Sequence, residues 1–139
     1  MAEGSFAHIA EEKIILVLPQ TFMNSSGESV GALFHFYKLT SADLWLVHDD
    51  LDLPLGALRI SLGASAGGHH GVDSVIATIG SNAFPRFRLG IGPRGEVPAE
   101  KFVLERFSSA ADKELGSTIA RACDAMETAA HALTNGTTY

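Results

Sequence analysis

The chain has 139 residues and a mass of 14.7 kDa, which is enough for one globular domain with its own core. An apolar fraction of 46% and a charged fraction of 19% exclude a disordered tail or a charged linker. Ten Lys and Arg residues against 16 Asp and Glu residues give a net charge of −6, which argues against a general nucleic-acid binder.

The first half of the chain predicts a strand, a helix and a second strand. Residues 13–18 form an apolar run rich in β-branched side chains, and this pattern predicts a buried strand. The spacing of a capping box begins at Ser25, and apolar residues at helical intervals follow it, so we expect a helix over residues 26–38. Residues 44–48 predict a second buried strand that ends in an acidic run, Asp49-Asp50-Leu51-Asp52.

The second half continues the alternation of strands and helices. Residues 57–62 and 86–91 alternate in polarity and predict strands, and a helix is expected between them, with Gly80 as its C-cap. Residues 110–133 carry apolar side chains at helical spacing; Cys123 falls on this stripe and is interpreted as a small core residue. The alternation indicates an α/β fold with at least part of the sheet parallel, in one domain over residues 1–139.

Several features bear on location. One cysteine excludes a disulfide framework and favours a reducing compartment. The longest apolar run, residues 14–18, is too short to span a bilayer. The first four residues have neither the basic start nor the apolar run of a signal peptide. We therefore expect a cytoplasmic protein without a membrane partner.

The charges are distributed unevenly. Residues 55–106 contain six Lys or Arg against four Asp or Glu, although the whole chain is acidic. A locally basic segment suits a few placed phosphate contacts rather than a continuous basic surface. A scatter of solvated charges is the alternative interpretation.

Polar residues concentrate where predicted strands end, and open α/β sheets place their sites there. Asn24 offers a donor and an acceptor to a substrate amide or a water, although an Asn before a helix often serves the local backbone. Asp49 could orient a histidine, act as a base or bind a cation, whereas Asp50 and Asp52 fit a solvated acidic turn. Because side chains alternate along a strand, Asp49 and Asp50 are expected to point to different faces.

A glycine-rich stretch, residues 63–71, contains His69 and His70 near its end. Glycines allow a ligand to approach the backbone, and the free N–H groups of the following helix favour an anion or a carbonyl oxygen. The stretch is neither a Walker loop nor a G-x-G-x-x-G fingerprint. The side chains of two adjacent histidines at the start of a helix point in different directions, so they are poorly placed to bind one metal ion. The pattern favours a hydrogen-bonding role for the histidine at the helix start.

Together these segments resemble the bacterial-type peptidyl-tRNA hydrolase family. Residues 19–27 resemble its P-x-T-[YF]-M-N-x-S-G signature, and residues 48–56 its H-D-[ED]-L-D-L-P-x-G strand end. Residues 63–71 resemble its G-x-x-G-G-H-N-G loop and residues 88–92 its R-x-G-I-G strand. The resemblance covers essentially the whole chain, and four ordered motifs are far more specific than any one.

The resemblance implies a single-domain α/β/α sandwich with a mixed, partly parallel sheet. It implies hydrolysis of the ester between a peptide and the 3′ end of tRNA, without metal or cofactor, by a histidine base that an aspartate orients. Asp49 stands at the orienting position, and Asn24 and His69 match residues that hold the peptide and the attacking water. The implied substrate-binding residues are Phe22 and Met23 near the terminal adenosine, Gly67, Gly68, His70 and Gly71 in the loop, and Arg88 at a tRNA phosphate. The implied partner is peptidyl-tRNA. The sequence gives no oligomeric state, and a monomer is favoured.

The sequence also departs from the family pattern. The family's opening G-L-G-N-P-G strand end and its T-R-H-N helix have no counterpart here, so the histidine base is absent and we expect weak turnover or none from an N-terminally truncated chain. His70 stands where the family has asparagine. Ser61 lies where many members have a second basic residue, which would weaken the phosphate clamp.

Two other hypotheses stay open at this point. The chain could be a non-catalytic relative that binds tRNA or another RNA, or a protein, on the same scaffold. It could also be a metal-dependent hydrolase that uses Asp49, Asp52, His69 and His70 as ligands. Salt-sensitive tRNA binding without turnover would favour the first of these, and chelator-sensitive activity the second.

Overall fold

A computed structural model describes residues 4–9, 14–92 and 108–134 of the chain. The polypeptide divides into two compact units that interleave along the sequence. The first unit contains Met1–Trp45 and Leu62–Pro85, and the second contains Leu46–Ser61 and Arg86–Tyr139. Lys13, the predicted start of the first strand, and part of the basic segment, residues 93–106, lie outside the described residues.

The first unit contains a hairpin-like pair of strands and two helices. Its elements are β1 (Gly4–Ile9), β2 (Ile14–Pro19), a 3-10 turn (Met23–Ser25), α1 (Ser26–Tyr37), a second 3-10 turn (Ser41–Asp43) and α2 (His70–Ile79). The two strands are antiparallel, with Gly4 opposite Pro19 and Ile9 opposite Ile14. The positions predicted for β2, α1 and α2 are confirmed to within one or two residues, whereas β1 was not predicted.

The two helices of the first unit pack closely through a glycine. The backbone N–H of Gly27, in the first turn of α1, donates to Ser74 Oγ in α2 over 2.8 Å. A Cβ at Gly27 would overlap the Ser74 carbonyl oxygen and the Thr78 hydroxyl, so this contact requires glycine. Val72 and Val75 of α2 are almost fully buried, as the helical spacing of its apolar residues predicts.

The capping of the first unit differs in part from the prediction. Ser25 precedes α1, but its side chain makes no cap hydrogen bond, so the predicted capping box is wrong. A capping box forms instead at the second 3-10 turn, where the backbone N–H of Thr40 donates to Asp43 Oδ2 over 2.9 Å. Gly80 ends α2 in the left-handed conformation, as predicted.

The second unit contains a three-stranded sheet and a long helix. Its elements are β3 (Leu46–Pro54), β4 (Leu58–Leu62), β5 (Pro85–Gly92) and α3 (Ser109–Thr134), and the strand order is β3-β5-β4. The terminal strand residues Leu62 and Pro85 belong to the first unit. β3 and β5 run parallel, with Leu46 opposite Arg86 and Asp50 opposite Gly90. The parallel pair and the alternating helices confirm the α/β class, while the predicted single three-layer domain stays a prediction.

The acidic run lies within β3 rather than after it, so the predicted strand end at His48 is wrong. The pairing of β3 with β5 is regular through Asp50 and becomes irregular between Asp50 and Pro54. On β5, Phe87, Leu89 and Ile91 alternate with the arginines and are buried. Asp50 is tolerated within the strand because Arg88 on β5 donates a hydrogen bond to its carboxylate.

Helix α3 covers the range that its periodicity predicts. Thr118 and Ala122 are its buried residues within 108–130, and Cys123 is exposed. The interpretation of Cys123 as a core residue is therefore wrong, because it lies one position past the buried stripe. Across the described ranges, none of the helices combines the length and the apolar character that a bilayer span needs.

Candidate functional site

In the first unit, one group of predicted site residues lies in the 3-10 turn between β2 and α1. The Ser25 N–H donates to the Phe22 carbonyl over 2.9 Å, and the Ser26 hydroxyl donates to the Met23 carbonyl over 2.8 Å. The side chains of Phe22, Met23 and Asn24 are exposed, and that of Phe22 is 86% exposed. An exposed aromatic ring beside an exposed amide is a surface that can contact a ligand.

The glycine-rich stretch forms the loop before α2. Gly63, Gly67 and Gly68 all have positive φ values, a conformation that glycine adopts without strain. His70 is the exposed first residue of α2, while Gly71 is buried. The loop therefore presents backbone rather than bulky side chains, as the sequence predicts.

His69 is the N-cap of α2, and its ring is bonded to the helix. Nδ1 accepts hydrogen bonds from the backbone N–H groups of Gly71, at 3.1 Å, and Val72, at 3.2 Å. Because Nδ1 is the acceptor, the neutral ring carries its proton on Nε2. In this tautomer His69 has an N–H donor at Nε2.

These two groups meet within the first unit. The Met23 sulfur lies directly against Gly71, so that a Cβ at position 71 would collide with it. The 3-10 turn that carries Asn24 thus packs on the start of α2, which carries His69. The sequence predicted both segments as site elements, and the structure brings their backbones together.

In the second unit, the predicted residues Asp49 and Arg88 lie on neighbouring strands. Alternation along β3 places Asp49 and Asp50 on opposite faces, as predicted. Arg88 Nε donates to Asp50 Oδ2 over 2.7 Å, and Arg88 Nη1 donates to Ser61 Oγ over 3.0 Å. Asp49 is therefore on the face opposite to the one that Arg88 shares with Asp50.

Asp50 is not part of a solvated turn, and that interpretation is wrong. Its side chain is 10% exposed, and Oδ1 accepts the backbone N–H of Asp52 over 2.8 Å. Burial by itself would raise the pKa of Asp50, but the hydrogen bonds from Arg88 and Asp52 and the charges of Arg88 and His48 hold that pKa below its ordinary value. Asp50 is thus ionised at neutral pH, while the side chain of Asp52 is exposed.

A second arginine lies two residues before Arg88 on β5. Arg86 is 4% exposed, and burial together with the neighbouring positive charge of Arg88 lowers its pKa, an effect that Asp50 partly offsets. Sequence reasoning missed the roles of Asp50 and Ser61 as partners of Arg88. The signal available for Asp50 was the alternation of side chains along each strand. Asp50 and Arg88 both fall at the polar positions of their strands, so they can be cross-strand neighbours.

No three His, Cys, Asp or Glu side chains within residues 4–9, 14–92 and 108–134 are grouped so that they could hold a metal ion. The metal-dependent hypothesis therefore has no ligand set in the part of the chain that the structure describes.

Comparison with known proteins identifies the family. A family model described as peptidyl-tRNA hydrolase matches residues 1–138. The chain belongs to the peptidyl-tRNA hydrolase family. The peptidyl-tRNA hydrolase of Mycolicibacterium vanbaalenii is 40% identical over 127 residues, which cover 91% of this chain and 66% of that protein. The peptidyl-tRNA hydrolase of Aquifex aeolicus is 44% identical over 117 residues, 84% of this chain and 61% of that one.

Solved structures of peptidyl-tRNA hydrolases share the fold. The crystal structure of the Acinetobacter baumannii peptidyl-tRNA hydrolase matches with a TM-score of 0.76 and 29% identity, over 96% of this chain and 66% of that one. The chain spans between 56% and 67% of the length of four peptidyl-tRNA hydrolases to which it is similar. The resemblance predicted from four motifs is therefore confirmed at the level of family and fold.

Proposed function

We propose that this chain acts in the hydrolysis of the ester between peptide and tRNA in peptidyl-tRNA. The observation that carries the proposal is the family match over residues 1–138, within which the four site motifs occur in order. In this reaction a water attacks the ester carbonyl carbon, the bond from that carbon to the ribose 3′ oxygen breaks, and a peptide carboxylate and the tRNA 3′ hydroxyl are released. No electron transfer is needed, so the reaction calls for no redox cofactor.

We assign the peptide and the attacking water to Asn24 and His69. The amide of Asn24 is exposed and can both donate and accept a hydrogen bond. His69 is assigned from its motif position, and two backbone N–H groups that donate to Nδ1 fix the orientation of its ring. Asp49 is assigned, from its motif position, to orient a histidine base.

Three further groups are assigned to other parts of the substrate. The exposed ring of Phe22, with Met23 beside it, suits stacking on a base. The backbone of the loop from Gly67 to Gly71, with His70, suits the peptide. Arg88 suits a phosphate, because a guanidinium makes charge-assisted hydrogen bonds to phosphate oxygens. The partner is then peptidyl-tRNA, and we propose that a cytoplasmic monomer binds it.

A single-turnover assay tests this function. The full chain in excess is mixed with a peptidyl-tRNA labelled in the peptide, and release of the peptide is followed by acid precipitation. We expect slow ester cleavage above the rate without protein, because the family's histidine base has no counterpart in this sequence. Asp49→Asn is expected to reduce it further, but by less than the roughly 10²-fold that the loss of a working acid–base group costs. Binding of tRNA without cleavage would instead favour a non-catalytic RNA-binding relative. The absence of both binding and cleavage would contradict the proposal.

A further inference from the structure

Arg88 is held from both sides within its sheet. It lies on the central strand β5, Asp50 lies on the neighbouring strand β3, and Ser61 lies on the other neighbour, β4. The Asp50 carboxylate accepts a hydrogen bond from Arg88 Nε over 2.7 Å, and the Ser61 hydroxyl accepts one from Arg88 Nη1 over 3.0 Å. These two contacts approach the guanidinium from different strands and so fix the plane of its fork.

The bracing leaves one edge of the guanidinium for a ligand. A guanidinium has five N–H groups, one on Nε and two on each Nη. Among the described residues, neither N–H group of Nη2 has a protein acceptor, and the Arg88 side chain is 18% exposed. An anion that meets this edge finds donors whose direction is already set, which reduces the side-chain entropy lost on binding.

Arg86 is a second positive charge near Arg88. Arg86 lies on the same strand two residues earlier, and so on the same face by alternation. Among the described residues, the guanidinium groups of Arg86 and Arg88 are both close enough to the ionised carboxylate of Asp50 to interact with its charge. Asp50 acts on an incoming phosphate in two opposite ways: its charge repels the anion, and its hydrogen bond orients the arginine that binds it.

We infer that Asp50 and Ser61 are positioning residues that hold Arg88 with its Nη2 edge turned to a phosphate oxygen of tRNA. The inference rests on the proposed function. It gives the serine at position 61 a definite role: where the resemblance leads one to expect a second basic residue, this chain has a hydroxyl that braces the remaining arginine. At position 61 the phosphate site then has a brace for Arg88 in place of a second cation.

Binding of fluorescently labelled deacylated tRNA to the full chain, followed by anisotropy at about 50 to 200 mM salt, tests the inference. Arg88→Gln is expected to weaken binding about tenfold and to reduce the salt slope by about one, as for the loss of one phosphate contact. Asp50→Ala is expected to weaken binding nearly as much, although it removes a negative charge. Asp50→Glu keeps the carboxylate, is allowed by the family motif, and is expected to restore most of the affinity.

A matched control separates orientation from charge. Asp52→Ala removes the same charge two residues away, from an exposed side chain, and is expected to leave binding unchanged or to tighten it. Ser61→Ala is expected to weaken binding about two- to threefold, because one of two braces is lost. In the Arg88→Gln background, Asp50→Ala is expected to have no further effect, since its role passes through Arg88.

The NMR signal of the Arg88 Nε–H gives a direct readout that does not depend on tRNA. We expect slow solvent exchange of this proton in the wild-type chain and fast exchange in Asp50→Ala. If Arg88→Gln weakens tRNA binding but Asp50→Ala matches Asp52→Ala, the positioning role is overturned and the proposed function stands. If the wild-type chain does not bind tRNA, or Arg88→Gln binds as well as wild type, the assignment of Arg88 to a tRNA phosphate fails, and the inference fails with it.

Discussion

The two units hold their candidate site residues by different means. In the first unit the 3-10 turn and the loop before α2 are set by the backbone: glycines with positive φ, and a histidine that caps a helix. In the second unit an ion pair between side chains on neighbouring strands fixes Arg88. The comparison shows that substitutions should act on the first site through backbone packing and helix capping, and on the second through charge.

The largest expected effect concerns the backbone packing of the first unit. Gly27→Ala places a Cβ against the Ser74 carbonyl oxygen and forces α1 away from α2. We expect the free energy of unfolding to fall by about 3 kcal/mol, at the upper end of what overpacking costs. Urea unfolding followed by circular dichroism measures this. A loss below about 0.5 kcal/mol would show that the helices do not depend on close backbone approach.

The next effect concerns the ion pair of the second unit and is pH-dependent. The pKa of Asp50 is lower in the folded chain than in the unfolded chain, so the carboxylate stabilises the fold fully above the unfolded value of about 3.9 and loses this effect as the pH falls towards the folded value. We expect Asp50→Asn to lower the free energy of unfolding by about 2 kcal/mol near neutral pH.

Urea unfolding from about pH 6 down to about pH 3 measures this difference, which should shrink below about pH 4 as the wild-type carboxylate is protonated. Asp52→Asn is the control for charge alone, because its side chain is exposed. A difference between wild type and Asp50→Asn that stays constant with pH would mean that the ionised carboxylate does not stabilise the second unit.

A smaller effect is expected from the helix cap in the first unit. His69→Ala removes the acceptor for the N–H groups of Gly71 and Val72 and should cost about 1 kcal/mol, the usual value for an N-cap side chain. His69→Asn should retain most of the stability, because asparagine is a strong N-cap residue. Thermal unfolding of the three proteins checks the order. Equal stability of the His69→Ala and wild-type chains would show that the His69 side chain does not stabilise the start of α2.

The smallest effect serves as a reference outside both candidate sites. Gly116 lies inside α3, and a Cβ there meets no atom within 4 Å among the described contacts. Gly116→Ala should raise the free energy of unfolding by about 0.8 kcal/mol, the difference in helix propensity between the two residues. Urea unfolding again provides the measurement. A loss of stability would show that glycine at this position is required by a contact of α3.

The elements that sequence predicts well are those with local signals. Helix α2 has apolar residues at helical spacing and a glycine stop at Gly80, and α3 has a long apolar stripe, so both appear at the predicted positions. The capping box at Ser25 fails because the chain forms a 3-10 turn immediately before α1, and that turn is closed by backbone bonds and by Ser26. Local spacing does not reveal this competing turn.

The features that sequence misses depend on distant residues. Asp50 reads as a solvated carboxylate because its partner, Arg88, is 38 positions away in the chain and becomes a neighbour through the parallel pairing of β3 and β5. From the sequence alone, Ser61 is interpreted only as the absence of a basic residue, because its partner Arg88 is also distant in the chain. Cys123 reads as a core residue because helical spacing locates a stripe only to within one position at its border.

The interleaving of the two units also determines the order in which the chain can fold during synthesis. The residues of this sequence that belong to the first unit all precede residue 86, so β3 and β4 have left the ribosome before β5, the strand that lies between them. Because β5 forms hydrogen bonds to both of them, the nascent chain carries two incomplete strand edges until residues 85–92 emerge. A cell that makes this protein must keep those edges from pairing with other chains during that interval.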